Sequence, residues 1–183
     1  MEPAEMETAA PARPNGSPLR KLGAFAAVVA VWLALDVATK AYFNGFALGD
    51  VVGGPYLGLV QFRLVHNTGM AWGLFGDSTF ALGVMSVVVC VVLTAFLLLN
   101  LRRASALEVA GLALVVAGGL GNAIDRFSLG YVVDFIETVF MDFPVFNVAD
   151  IGVTCGFVIF ILGLFLSMRR EEHGEGPTGG ESA

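Results

Sequence analysis

Charged side chains are scarce in this sequence: Asp, Glu, Lys and Arg make up 14% of its 183 residues, against 56% hydrophobic. Soluble domains carry about 25% charged residues, so this balance excludes an ordinary water-facing globule. Histidine is nearly absent, with only His66 and His173 present. Neither lies in an HExxH, which excludes the zinc intramembrane protease pattern. No GxSxG elbow occurs, and a nucleophilic serine would have to rely on His66 alone. His66 itself reads better as a hydrogen-bonding or interfacial residue than as a base. The two cysteines, Cys90 and Cys155, form no CxxC, which disfavours a disulfide oxidase. Both thiols are expected to be small core hydrophobes. Gly118, Gly119 and Gly121 are followed by no P-loop lysine, so they read as a small-residue face for close helix packing. No metal, nucleotide or other cofactor is called for and no nucleic-acid partner is expected; the net charge of −6 says little about partners, because much of it sits in the tails.

What the chain has in abundance is apolar length, with a mean hydropathy of +0.78. Four runs stand out: Leu22 to Phe43, Thr79 to Leu99, Leu107 to Ile124, and Val148 to Met168. Each is about 18–22 residues, enough to cross a hydrocarbon core of about 30 Å as a helix. The expected fold is an all-α membrane protein, a single bundle of four transmembrane helices spanning residues 19–170. Residues 1–18 and 171–183 are rich in Pro, Gly, Ser, Ala and Glu and are expected to be disordered cytoplasmic tails. The first run begins after Arg20-Lys21 and is short enough to raise the question of a cleaved signal peptide. Its continuation through Asp36 and Lys40 favours a retained span.

Basic residues orient the bundle. Arg13, Arg20 and Lys21 precede the first span, Arg102 and Arg103 lie between the second and third, and Arg169 and Arg170 close the fourth. Loops rich in Lys and Arg stay in the cytoplasm, so both termini are expected to face inward. Two longer segments, Asn44 to Ser78 and Arg126 to Asn147, then face outward. Tyr56 to Val65 mixes aromatic and β-branched residues after Gly53, Gly54 and Pro55, and reads as strand. A small extracytoplasmic sheet on the outer leaflet follows.

Polar residues converge at one depth. Along a helix rising 1.5 Å per residue, Asp36 and Lys40 lie about 21 and 27 Å from Leu22. Asn122 and Asp125 lie about 22 and 27 Å from Leu107, and Asp150 falls in the first turn of the fourth span. Charge at membrane depth is costly and faces a cavity or a partner. Each residue also has a structural explanation. Asp36 and Lys40, spaced i and i+4, neutralise each other; Asp125-Arg126 anchors the end of the third span; Asn147 caps the fourth helix, with Asp150 near its third position. Asp134 is different. It sits in the apolar run Tyr131 to Ile136, read here as a loop, where desolvation raises a carboxyl pKa. With Asp150 close by, the two would share one proton, the arrangement for peptide hydrolysis by general acid and general base.

Five segments, in order, carry a resemblance. They are Asp36-Val37-Ala38-Thr39-Lys40; His66-Asn67-Thr68-Gly69-Met70-Ala71-Trp72; Gly118 to Arg126; Gly130-Tyr131-Val132-Val133-Asp134-Phe135; and Phe146-Asn147-Val148-Ala149-Asp150. In these the chain resembles the lipoprotein signal peptidases, or signal peptidase II family, over nearly everything except its tails. The resemblance implies four helices with a small extracytoplasmic β-cradle and a catalytic dyad of Asp134 and Asp150. It makes Asn122, Arg126 and Asn147 positioning residues, and Asp36, Lys40, Asn67, Gly69 and Asp125 supporting or binding ones. The implied substrate is a diacylglyceryl prolipoprotein, cut just before its lipidated cysteine by a monomer in the bacterial cytoplasmic (inner) membrane, with membrane lipids around it. Two departures are visible. Met70-Ala71-Trp72 stands where the family shows Ala-Ala-Phe, with larger side chains that reshape a lipid or peptide pocket, and Ile151-Gly152 falls where the family varies. A proton-coupled transporter using Asp36, Lys40 and Asp125, and a structural subunit with a polar seam, are the competing readings; four spans without an inverted repeat speak against the first.

Overall fold

The computed structural model describes residues 17–69 and 78–174. The expectations for residues 1–16 and 175–183, and for Met70, Ala71 and Trp72, lie outside the described residues. Four long helices are present: α1 (Pro18–Phe43), α2 (Thr79–Asn100), α3 (Ala106–Ser128) and α4 (Val148–Gly174). All four are long and apolar enough to cross a membrane, with mean hydropathy between 1.7 and 2.8. Local chemistry sets their starts. Ser17 accepts from the Arg20 N–H with Pro18 in the first turn, and Ser105 and Glu108 form a reciprocal capping box on α3. The helices run slightly beyond the apolar runs that announce them: α3 continues through Asp125 and Arg126 to Ser128, and α4 passes Met168.

α3 is the centre of the bundle. Its apolar window is 61% buried, against 11–22% for the other three helices, whose outer faces are left to lipid. Small residues let it sit there. A Cβ on Gly118 would lie 2.2 Å from the Ala149 carbonyl oxygen of α4, and one on Gly121 would lie 2.3 Å from Asp36 Oδ2 of α1. Both neighbours are held in place, so only glycine permits this approach. The core of the bundle gathers Phe25, Leu97, Leu112 and Val116. Cys90 is part of it, as expected, with its thiol on the Val116 carbonyl. Cys155 is not: it is exposed on α4. A thiol in an apolar helix is as compatible with an outer face as with the core, since nothing polar around it marks the side that packs.

At the opposite end from the Ser17 and Ser105 caps, three antiparallel strands form one sheet in the order β1 (Val51–Tyr56), β2 (Val60–Asn67), β3 (Val132–Thr138). The expected single strand over Tyr56 to Val65 is therefore a hairpin turning at residues 57–59. The run Tyr131 to Ile136, expected as loop, is the third strand. It lacks visible alternation because Val132 through Phe135 are buried on both faces. Val133 and Phe135 point to one side, where Phe135 stacks on Phe43 at the end of α1 with ring centroids 4.1 Å apart. Period-two geometry turns Val132 and Asp134 to the other side. The chain after β3 folds back along it, and Phe146 exchanges backbone hydrogen bonds with Ile136 before α4 begins.

Candidate active site

Two neighbouring polar clusters form where α1, α3, α4 and β3 meet. The deeper one contains Asp36, Lys40 and Asp125, all buried. Lys40 Nζ lies 2.9 Å from Asp36 Oδ2 and 3.3 Å from Asp125 Oδ2, and donates to Asn122 Oδ1 at 2.9 Å. Asp36 does more than neutralise Lys40: its Oδ1 accepts the Ala149 N–H in the first turn of α4 at 2.8 Å. Asp125 is not an interfacial anchor. Its Oδ2 accepts the Val133 N–H at 3.0 Å and so ties the start of β3 to the end of α3.

The second cluster holds the two remaining carboxylates. Asp134 Oδ1 accepts from Asn147 Nδ2 at 2.7 Å and Oδ2 from Asn67 Nδ2 at 2.9 Å. Strand register accounts for the second bond: Asn67 lies opposite Val132, which makes it the diagonal neighbour of Asp134 on the same face. Asp150 Oδ1 accepts from Asn122 Nδ2 at 2.8 Å, and Oδ2 accepts the Asn147 N–H at 3.0 Å.

The three asparagines are oriented by groups that can only donate. Asn122 presents Oδ1 to the Lys40 ammonium, Asn147 presents Oδ1 to the Asp150 N–H, and Asn67 presents Oδ1 to the Gly69 N–H. Each NH2 group is thereby turned toward a carboxylate. A further contact, Asn147 Nδ2 to Asn122 Oδ1 at 3.1 Å, joins the two amides that serve Asp134 and Asp150. Burial, with the charge of Asp150 adding to it, pushes the Asp134 carboxyl up to about 7 against the pull of its two amide donors and Lys40.

Both carboxylates line a cavity of about 430 Å³. Its polar end is completed by Asn67, Asn122 and Arg126. Its apolar end runs between Phe143 to Phe146 and a face of α4 carrying Ile151, Thr154 and Cys155. Among the described residues Arg126 spends little of its donor capacity, reaching the Asn122 and Gly69 carbonyls only at 3.4 and 3.5 Å. Its buried Nε has no hydrogen-bond partner among the described residues. The site can therefore bind a backbone, present two amide-held carboxyls to it, and take an apolar segment along α4.

All ten residues singled out in the sequence, Asp36, Lys40, Asn67, Gly69, Asn122, Asp125, Arg126, Asp134, Asn147 and Asp150, fall within these two clusters. His66 does not. It stacks on Tyr131 at 3.8 Å and bonds Asn44 at 3.0 Å. Sequence reasoning passed over the cavity wall, Ile151, Thr154 and Cys155. The available signal is helical spacing: Thr154 lies one turn from Asp150, and Cys155 one turn from Ile151 beside it.

The family model described as signal peptidase (SPase) II matches residues 28–166. The chain belongs to the signal peptidase II family. It is accordingly a membrane protease, and a multi-pass protein of bacterial type. Among curated relatives, the lipoprotein signal peptidase of Enterococcus faecalis is 38% identical over 121 residues, covering 66% of this chain and 74% of that one. That of Caulobacter vibrioides is 36% identical over 145 residues, 77% of this chain and 86% of the relative. That of Pseudomonas putida is 35% identical over 164 residues, 82% and 94%. Two solved structures, both described as bacterial membrane enzymes determined by the in meso method, have the same fold. One, at 2.3 Å resolution, superposes with a TM-score of 0.71 at 26% identity and covers 88% of this chain and 95% of its own. The other, at 1.9 Å, gives 0.67 at 28% identity, with 78% and 92% covered.

Proposed function

We propose that this family member removes signal peptides from diacylglyceryl-modified prolipoproteins by cutting just before the lipidated cysteine, with Asp134 and Asp150 as its catalytic dyad. The observation that carries the assignment is the pairing of these two carboxylates through Asn122 and Asn147 at the polar end of an apolar cavity. The deeper carboxylates, Asp36 and Asp125, are engaged by Lys40 and by backbone N–H groups and do not line that cavity. They serve as supports.

In the reaction, Asp134 carries the proton that burial favours and donates it in a hydrogen bond to the scissile carbonyl oxygen. Asp150 takes a proton from the attacking water. The water oxygen adds to the carbonyl carbon to give a tetrahedral diol stabilised by the two carboxyls. The proton held by Asp150 then passes to the leaving amine as the C–N bond breaks, and Asp134 recovers its own as the new carboxyl forms. Asn122 and Asn147 hold the pair in register, and Arg126, with donors to spare, binds substrate backbone carbonyls.

Bundle orientation follows from charge. Lys21 bonds the Leu101 and Arg102 carbonyls, so Arg20, Lys21, Arg102 and Arg103 gather at the end of the bundle away from the dyad. By the positive-inside rule that end, with both termini, is cytoplasmic and the dyad lies on the extracytoplasmic side. A signal peptide enters from the bilayer as an apolar helix, and its lipidated cysteine sits at the outer leaflet, the depth of the cavity. The test is cleavage of a diacylglyceryl prolipoprotein by purified protein. A cut before the lipidated cysteine, lost on Asp134→Asn and Asp150→Asn, is expected; uptake driven by a pH gradient without cleavage would replace this reading with the transporter.

A further inference from the structure

Asp150 is the second residue after Val148, where α4 begins, so its placement depends on how that first turn is held. α3 presses on it at Gly118, and Asp36 takes the Ala149 N–H. One turn earlier on α1, Trp32 Nε1 donates to the Val148 carbonyl at 3.1 Å. Trp32 and Asp36 are spaced i and i+4 and so share a face of α1. From that face they grip the carbonyl of one residue and the N–H of the next, directly before Asp150. The indole is accommodated by an absence on α4: a Cβ on Gly152 would lie 2.2 Å from Trp32 Nε1 and 2.9 Å from Cδ1. The Ile151-Gly152 pair, without assigned consequence in the sequence, thus contains the hole into which the indole fits.

We infer that Trp32 is a positioning residue for the hydrolytic reaction, acting through its hydrogen bond to Val148 and its seat on Gly152 to set the placement of Asp150. The inference rests on the assignment of Asp150 to the dyad. An indole N–H within an apolar bundle has few alternative partners, and an unsatisfied one there is costly, so the bond is maintained. Val148 keeps its helical acceptor role as well, because a carbonyl has two lone pairs. Trp32 touches neither carboxylate; its effect on turnover passes through the α4 backbone. A residue that only filled space would affect stability and leave kcat alone.

The experiment measures kcat, KM and thermal stability on a prolipoprotein substrate for wild type, Asp150→Asn, Trp32→Phe, Trp32→Leu, Gly152→Ala and the Trp32→Leu/Gly152→Ala double variant. Trp32→Phe keeps most of the ring volume and removes the donor. It is expected to lower kcat about tenfold, the effect of one lost hydrogen bond, with KM within twofold of wild type. Gly152→Ala, which drives a methyl group into the indole, is expected to lower kcat at least as much. With Leu at position 32 the methyl group has room, so adding Gly152→Ala to Trp32→Leu should change kcat less than twofold. That non-additivity separates a seated indole from two independent lesions. Wild-type kcat in Trp32→Phe, or an equal cost of Gly152→Ala in both backgrounds, would overturn the inference. Turnover by wild type that is abolished in Asp150→Asn shows that the underlying assignment stands while Trp32 alone is judged; retained turnover in Asp150→Asn removes the dyad assignment, and the inference falls with it.

Discussion

Asn147 and Asp150 cap each other: the Asn147 N–H donates to Asp150 Oδ2 and the Asp150 N–H donates to Asn147 Oδ1, both at 3.0 Å. One reciprocal pair therefore starts α4 and leaves the Asn147 NH2 group aimed at Asp134. Structural and chemical roles occupy different atoms of one amide. Asn147→Ser keeps a capping oxygen and removes the donor to Asp134. Its thermal stability in detergent should fall by about 1–3 kcal/mol, because the cap is kept but buried acceptors lose the amide donor. Turnover should fall about tenfold, the scale of one lost hydrogen bond.

Proton linkage at Asp134 gives a second prediction. Its carboxyl is raised from 3.8 to about 7 in the folded protein. The folded state therefore binds more protons than the unfolded chain between these values, and the stability that Asp134 contributes is fully present below pH 3.8 and lost as pH rises to about 7. Asp134→Asn cannot ionise, so its stability relative to wild type should grow across that window, by up to the order of 4 kcal/mol. Denaturation of the two proteins at pH 5 and pH 8 checks this. Wild-type cleavage should decline above about pH 7 as the acid form is lost; a rate that still climbs well above that pH would contradict Asp134 as the acid.

Lys40 holds two buried carboxylates and orients Asn122. Lys40→Met leaves those charges unpaired and should destabilise the protein by about 3–5 kcal/mol. Combining it with Asp36→Asn removes one of the stranded charges, so the double variant should be more stable than Lys40→Met alone. A simple sum of the two single losses in a denaturation cycle would show that the ion pair is not the reason for the Lys40 effect.

Cys155 offers a test of the cavity. The chain has two cysteines; Cys90 is buried against the Val116 carbonyl, and Cys155 is exposed at the cavity wall. A small maleimide should modify Cys155 selectively and block turnover, substrate should slow the modification, and Cys155→Ala should be active and insensitive. Alkylation of Cys155 without loss of activity would place substrate elsewhere.

Some of this geometry was legible in the sequence and some was not, for physical reasons. The Asp36–Lys40 pair and the Asn147–Asp150 cap are local, set by spacings of four and three, and both form as spacing predicts. The convergence of three helices at one depth follows from helix rise alone. β3 was hidden because a strand buried on both faces has no alternation to read. The pairing of Asp134 with Asp150 runs through Asn122 and Asn147 and so depends on tertiary contacts; the family resemblance, not spacing, singled it out. Cys155 and Trp32 were hidden for another reason. In a helix apolar on all sides, composition does not distinguish a face toward lipid from one toward a neighbour or a cavity.

The most direct test of the account is cleavage of a diacylglyceryl prolipoprotein by purified wild type, Asp134→Asn, Asp150→Asn and Asp125→Asn, each checked for folding. The account predicts cleavage before the lipidated cysteine by wild type, none detectable with Asp134→Asn or Asp150→Asn, and a reduced but measurable rate with Asp125→Asn, whose carboxylate supports β3 without lining the cavity. Turnover retained in either dyad variant, or its complete loss in a well-folded Asp125→Asn, would contradict the assignment.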